Sequence, residues 1–131
     1  MLAVVWLALA AFAQKRDGIH LAPTPPTSGP QMFQAYCSDC HGHDARGNGP
    51  LVAVLKVVPP DLTTLAKRQN GKFPAEEVSA TIRGDSGKAA HGSREMPIWG
   101  PVFRNMGKGH KGEAEVRIKA LTSYLAGLQV K

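Results

Sequence analysis

Cys37, Cys40 and His41 stand within the stretch "AYCSDCHG", and these are the only two cysteines in the chain. Two thiols three positions apart, with an imidazole directly behind, suit four chemistries: zinc coordination, dithiol cycling, a short disulfide loop, or covalent haem attachment. A structural zinc site commonly draws on a second Cys or His pair. None is present, since His91 and His110 lack the close spacing of a finger. A redox dithiol of the thioredoxin kind follows a strand in an α/β pattern, and no segment here alternates as a strand. A disulfide between residues three apart closes too short a loop to stabilise much. C-x-x-C-H, by contrast, is a specific signal for c-type haem. The spacing follows from the chemistry: thiols one helical turn apart add to the two vinyl edges of a porphyrin, and the adjacent imidazole reaches the iron from that face. On this reading Cys37 and Cys40 tether one haem c, and His41 is its proximal ligand.

The other face of the iron needs a second ligand or an open position. Of the four methionines, Met1 lies in an apolar leader and Met32 precedes the thiols on the proximal side. Met96 is followed by Pro97, which biases it away from helix and into an extended loop. Such a loop can aim a thioether at a metal across the pocket. Met106, in "NMGKG", reads as a core filler. His91, in "AAHGSREMPIWG", is a rival that would give a bis-histidine haem. Met96 is the preferred distal ligand, with His91 and Met106 as alternatives.

What must position these groups is a chain of 131 residues with 14 glycines, 10 prolines and only 6% aromatic residues. So loop-rich a chain has a thin core of its own, and a large apolar cofactor would complete it. The run "MLAVVWLALAAFA" (residues 1–13) is too short for the ~20 apolar residues of a membrane span. It ends in a small-x-small pattern and reads as a signal peptide; no cysteine follows to carry a lipid anchor. Residues 14–28, with Pro, Thr, Ser and Gly and no apolar period, read as an extended tail that includes a solvated His20. The domain proper is expected over 29–131.

Four or five short helices are expected there. One runs from about Pro30 to Asp39, capped by Ser28 or Gly29. A short one follows in "PPDLTTLAK", capped by Asp61. Another fills "FPAEEVSATIRG", started by Pro74, with Glu76 and Glu77 in its first turn and Gly84 as its stop. The last spans about Glu113 to Gln129, with an apolar stripe of Val116, Ala120, Leu121, Tyr124, Leu125 and Leu128. The fold class is all-α.

The formal charge is +6, from 16 Lys and Arg without a long basic block. That balance suits docking onto acidic proteins or an anionic surface, and no nucleic-acid motif accompanies it. Lys56, Lys67, Lys72, Lys108 and Lys111 are candidates for such a docking face, with an ordinary solvated face as the alternative. Arg68, Arg83 and Arg94 could pair with haem propionates or simply stand at the surface. His43 is expected to be exposed. No paired carboxylates point to hydrolysis, and no glycine loop to phosphate binding.

In these motifs the chain resembles the class I c-type cytochromes, over roughly Gly29 to Gln129. Gly29 and Phe33 match the glycine and aromatic of that family's first helix, and Leu121 and Tyr124 match its last. The resemblance implies a cytochrome c fold of four to five helices, the N- and C-terminal ones crossing at the glycine. "GNGPL" is similar to the family's Gly-Pro-x-Leu region, which adds Pro50 and Leu51 to the cofactor-binding set and makes the Pro50 carbonyl the acceptor for the free nitrogen of His41. "MPIWG" looks like the axial-methionine loop, with Trp99 as a donor to a propionate. The activity implied is single-electron transfer by a His41/Met96 haem in an exported, periplasmic carrier, monomeric, with redox proteins as partners. The alternative is a haem-bearing subunit of an exported dehydrogenase or oxidase complex. A gas-binding or peroxidatic haem would need an open sixth position, and a di-haem peroxidase a second C-x-x-C-H.

Overall fold

The structure is a computed structural model that describes residues 21–86, 96–108, 110 and 112–131. The predicted leader at 1–13, His20, the rival ligand His91, Arg94 and Lys111 lie outside the described residues. Among the described residues the regular elements are all helical, and no helix is long and apolar enough to cross a membrane.

Helix α1 (Gly29–Tyr36) starts where Ser28 Oγ accepts from the Gln31 amide, with Pro30 in its first turn. The sequence predicts one helix through Asp39; the structure breaks it at Cys37 and resumes as the single turn α2 (Ser38–His41). The Ser38 hydroxyl donates back to the Gln34 carbonyl at 2.7 Å, a bond that competes with the backbone ladder and bends helices. Two 3₁₀ turns, Leu62–Thr64 and Lys67–Gln69, replace the short helix expected in "PPDLTTLAK". Asp61 caps the first as expected, accepting from the Thr63 amide at 2.8 Å and the Thr63 hydroxyl at 2.6 Å. A further 3₁₀ helix spans Pro50–Val54.

Helix α3 (Ala75–Arg83) has Glu76 and Glu77 in its first turn and stops at Gly84, whose φ of 93° suits a residue without a Cβ. Pro74 sits at its N-cap, one place earlier than expected. Helix α4 (Trp99–Met106) was not among the expected helices. Gly100 and Pro101 mask it in the sequence, yet Pro101 stands in the first turn, where a missing amide costs nothing. Its inner face is Trp99 and Phe103, with Met106 packed half-buried against the core.

Helix α5 (Glu113–Gly127) crosses α1 at Gly29. A methyl group on Gly29 would overlap the Ala120 carbonyl and stand 2.7 Å from the Tyr124 Cβ, so only glycine permits this approach. Phe33 and Tyr124 meet beside it, ring centroids 5.5 Å apart. The buried line of α5 is Ala114, Ile118, Leu121 and Leu125. Val116, placed on the stripe from sequence, is 42% exposed, whereas Arg117 is only 4% exposed. The rest of the expected stripe does pack on the core, and Arg117 joins the buried face because it finds partners inside. One of them lies in residues 14–28, read from sequence as tail: Thr24 bonds Arg117, and Leu21 of the same stretch packs on the core.

Candidate functional site

The short α2 brings Cys37, Cys40 and His41 together by helical spacing alone. The amides of Cys40 and His41 both donate to the Cys37 carbonyl, at 3.2 and 2.9 Å, which closes one turn around the three side chains. Residues three and four apart share a face. The turn is held in place from behind, where the Gly49 amide donates to the Cys40 carbonyl at 3.2 Å. His41 is 7% exposed, with its Nδ1 sealed from solvent.

Facing this turn is an open pocket lined by Cys37, Cys40 and His41 together with Met96, Pro97 and Trp99. Tyr36, Leu55, Val57, Val58, Pro59 and Pro60 complete its mostly apolar lining. A second cavity of about 340 Å³ adjoins it, sharing His41, Val58, Pro60 and Met96. Its lining also includes Leu62, Leu65, Val78, Ile82 and Leu125, with Arg68, Gln69 and Glu77 as polar members. Two adjoining, largely apolar concavities that share His41 and Met96 are the kind of site that encloses a large apolar ligand.

The donor set fits a covalently held haem and does not fit zinc. Both cysteines carry reduced thiols. Burial, with Cys40 beside it, pushes the Cys37 thiol up to about 12. Among the described residues no group of three or more His, Cys, Asp or Glu side chains is placed to hold a metal ion. What remains is two thiols and one imidazole on a single turn, beside a largely apolar pocket that Met96 also lines.

The structure thus gathers Cys37, Cys40, His41, Met96 and Trp99 around one cavity. It does not bring Pro50 or Leu51 there. Both are exposed, in the first turn of their 3₁₀ helix, and neither lines a cavity wall. Gly49 nonetheless keeps Pro50 next to the motif. Arg68 lines the larger cavity and donates to the Asp61 carbonyl and, at 3.1 Å, to Thr64 Oγ1. Arg83 instead reaches α5, donating from Nε and Nη2 to the Glu115 carboxylate at 3.1 and 2.7 Å. His43 is exposed and meets the Gln34 side-chain amide. Lys56, Lys67, Lys72 and Lys108 are exposed. Sequence reasoning passed over Tyr36, Val57 and Val58; an aromatic next to the first cysteine and the valine pair before Pro59-Pro60 were its only signals.

A family model described as "Cytochrome c" matches residues 26–129. Neither the comparison with curated proteins nor that with solved structures gives a match. The match spans most of the chain and contains the paired thiols, the imidazole and the cleft they face, so the chain belongs to the cytochrome c family.

Proposed function

We propose that this protein is a single-electron carrier in which Cys37 and Cys40 hold one haem c, His41 ligates its iron from the proximal side, and Met96 does so from the distal side. Family membership supplies the coarser statement, haem-based electron transfer with covalent attachment through C-x-x-C. The observation that carries the finer one is the shared cavity, which places the Met96 side chain in the wall with His41 and both thiols. When bound, the haem supplies a one-electron iron couple, and a soft thioether opposite an imidazole favours the ferrous state and raises the potential.

The residues around the cleft have separate tasks in this reading. The two thiols fix orientation, each as a thioether. His41 is held in its buried position by the turn it belongs to, and the Pro50 carbonyl is the proposed acceptor for its Nδ1–H, a bond that sets ring orientation and basicity. Leu51 belongs to the same supporting turn. Val57, Val58, Pro59 and Pro60 exclude water from one wall, which also disfavours the ferric charge. Arg68, which lines the larger cavity, is the best placed of the described arginines to meet a propionate, and Trp99, which lines the adjoining one, is the other donor. The apolar run at residues 1–13 supports export, and the positive charge supports acidic redox partners. Reduction by such a partner should slow as ionic strength rises.

The test is the visible spectrum of the dithionite-reduced holoprotein with and without carbon monoxide. A sharp low-spin c-type spectrum unchanged by the gas is expected. A prompt shift would show an open or labile distal side and turn the assignment toward ligand binding.

A further inference from the structure

Residues 22–24 make contacts that a tail has no reason to make. The Tyr36 hydroxyl donates to the Ala22 carbonyl at 2.8 Å and lies 2.9 Å from Thr24 Oγ1. A phenol has one proton and a carbonyl can only accept, so Thr24 must be the donor in the second bond. Thr24 Oγ1 accepts in turn from Arg117 Nη1 at 3.2 Å, and the same nitrogen reaches the Thr24 carbonyl at 3.0 Å. The direction of the whole chain is therefore fixed: Arg117 to Thr24 to Tyr36 to Ala22. Its charged end is anchored by Glu113 Oε1, which accepts from Arg117 Nε and Nη2 at 3.0 and 2.8 Å.

Both ends of this chain press on one aromatic cluster. The Arg117 guanidinium lies 6.0 Å from the centre of the Phe103 ring. Phe103 stacks on Trp99 at 5.6 Å, and Tyr36 packs on Trp99 at 5.6 Å and on Phe103 at 6.1 Å. Trp99 is the first residue of α4 and stands three positions after Met96. Tyr36, Met96, Pro97 and Trp99 line the same cavity.

We propose that Thr24 and Tyr36 are positioning residues for the distal ligand: residues 22–24 act as a strap that, through Tyr36 and Trp99, holds the Met96 stretch against the haem cleft. The inference rests on Met96 being that ligand. Neither residue is a proposed iron ligand. Cutting the chain at Thr24 or Tyr36 leaves Trp99 with a looser neighbour, and the Met96 thioether spends more time away from its place. Ala22 is exposed, so water can replace the lost phenol and the variants should still fold.

The experiment is the rate at which carbon monoxide binds the reduced holoprotein, compared across wild type, Met96→Ala, Thr24→Val, Thr24→Ser, Tyr36→Phe and Ser79→Ala. Wild type should be slow and Met96→Ala fast. Thr24→Val and Tyr36→Phe should each raise the wild-type rate by roughly two- to tenfold, the equilibrium worth of one hydrogen bond. Thr24→Ser keeps the hydroxyl and should match wild type. Ser79→Ala removes a 3.0 Å bond to Thr122 between α3 and α5 and controls for general loosening, so it too should match wild type. A wild type as fast as Met96→Ala would overturn the ligand assignment itself. With that assignment intact, Thr24→Val and Tyr36→Phe rates equal to wild type, or a rise in Ser79→Ala of the same size, would overturn the strap.

Discussion

The two walls of the haem cleft are built by different means. On the proximal wall, three chemically active side chains come from one helical turn, and that turn is braced by α1, which α5 crosses at Gly29. On the wall proposed as distal, Met96 comes from the short stretch Met96–Ile98, outside any helix and followed by α4. The first arrangement fixes geometry through backbone hydrogen bonds. The second depends on an aromatic cluster and on residues far away in sequence, Thr24 and Arg117 among them. A wall fixed by its own backbone fails as a unit, whereas a wall held by side chains can loosen by degrees.

The largest expected effect comes from the proximal wall. Cys37→Ala with Cys40→Ala removes both tethers, and loss of the cofactor leaves the apolar cleft exposed. Binding free energy of such a group is also folding free energy. Haem staining on a denaturing gel should vanish, and helical circular dichroism should fall well below that of the holoprotein. Retained, cooperative melting of the variant would show that the walls stand without their cofactor. Met96→Ala should do less: haem stays attached, the fold survives, and carbon monoxide binding becomes fast where wild type is slow. Its reduction potential should fall, since the thioether that favours ferrous iron is gone.

Gly29→Ala sharpens the contrast, because it touches the brace of the proximal wall and no ligand. The added methyl meets the Ala120 carbonyl and Tyr124 at a helix crossing, and overpacking of this kind costs about 1–3 kcal/mol. The melting temperature should drop by roughly 4–8 °C for each kcal/mol, while the reduced spectrum and its indifference to carbon monoxide stay as in wild type. A changed spectrum at unchanged stability would mean that the crossing tunes the iron directly.

The same asymmetry decides what the sequence made legible. Cys37, Cys40 and His41 were readable because a fixed local spacing dictates the chemistry, whereas the Gly29 crossing came from the resemblance, and the structure supplies its reason in the Ala120 carbonyl that leaves no room for a Cβ. The caps at Asp61 and Gly84 were readable for the same local reason. Helix α4 was not, since Gly100 and Pro101 look like breakers until their place in the first turn is known. The inner face of α5 was misread around Arg117, whose burial is bearable only because Glu113 and Thr24 satisfy it, and Thr24 is 93 residues away. For the same reason residues 21–28 looked like tail. Pro50 and Leu51 came from resemblance alone, and the cavity walls do not include them.

The smallest effect lies at Asp61, between Pro60 and Leu62, which line the cavities. The Thr63 hydroxyl, and after it the Thr63 amide with Arg46 and Arg68 nearby, holds the Asp61 carboxyl below its ordinary 3.8 despite some burial. A carboxyl lowered in the folded state stabilises the fold above its unfolded value. That contribution fades as pH falls through 3.8 toward the folded value. Stability should therefore be flat in this group from neutral pH down to about 4 and decline below it. Asp61→Asn keeps an oxygen to cap the 3₁₀ turn but removes the titration, so its acid limb should be shallower, at a cost near neutrality of only a few tenths of a kcal/mol. Asp61→Ala removes the cap as well and should cost about 1 kcal/mol at all pH values above the limb. If the Asn variant instead shows the full acid limb of the wild type, the acid sensitivity resides elsewhere, with Glu115 next in line. Its carboxyl is lowered chiefly by hydrogen bonding to Arg83. Either way the iron spectrum should be unmoved across this range, because Asp61 lines neither cavity and is not among the proposed ligands.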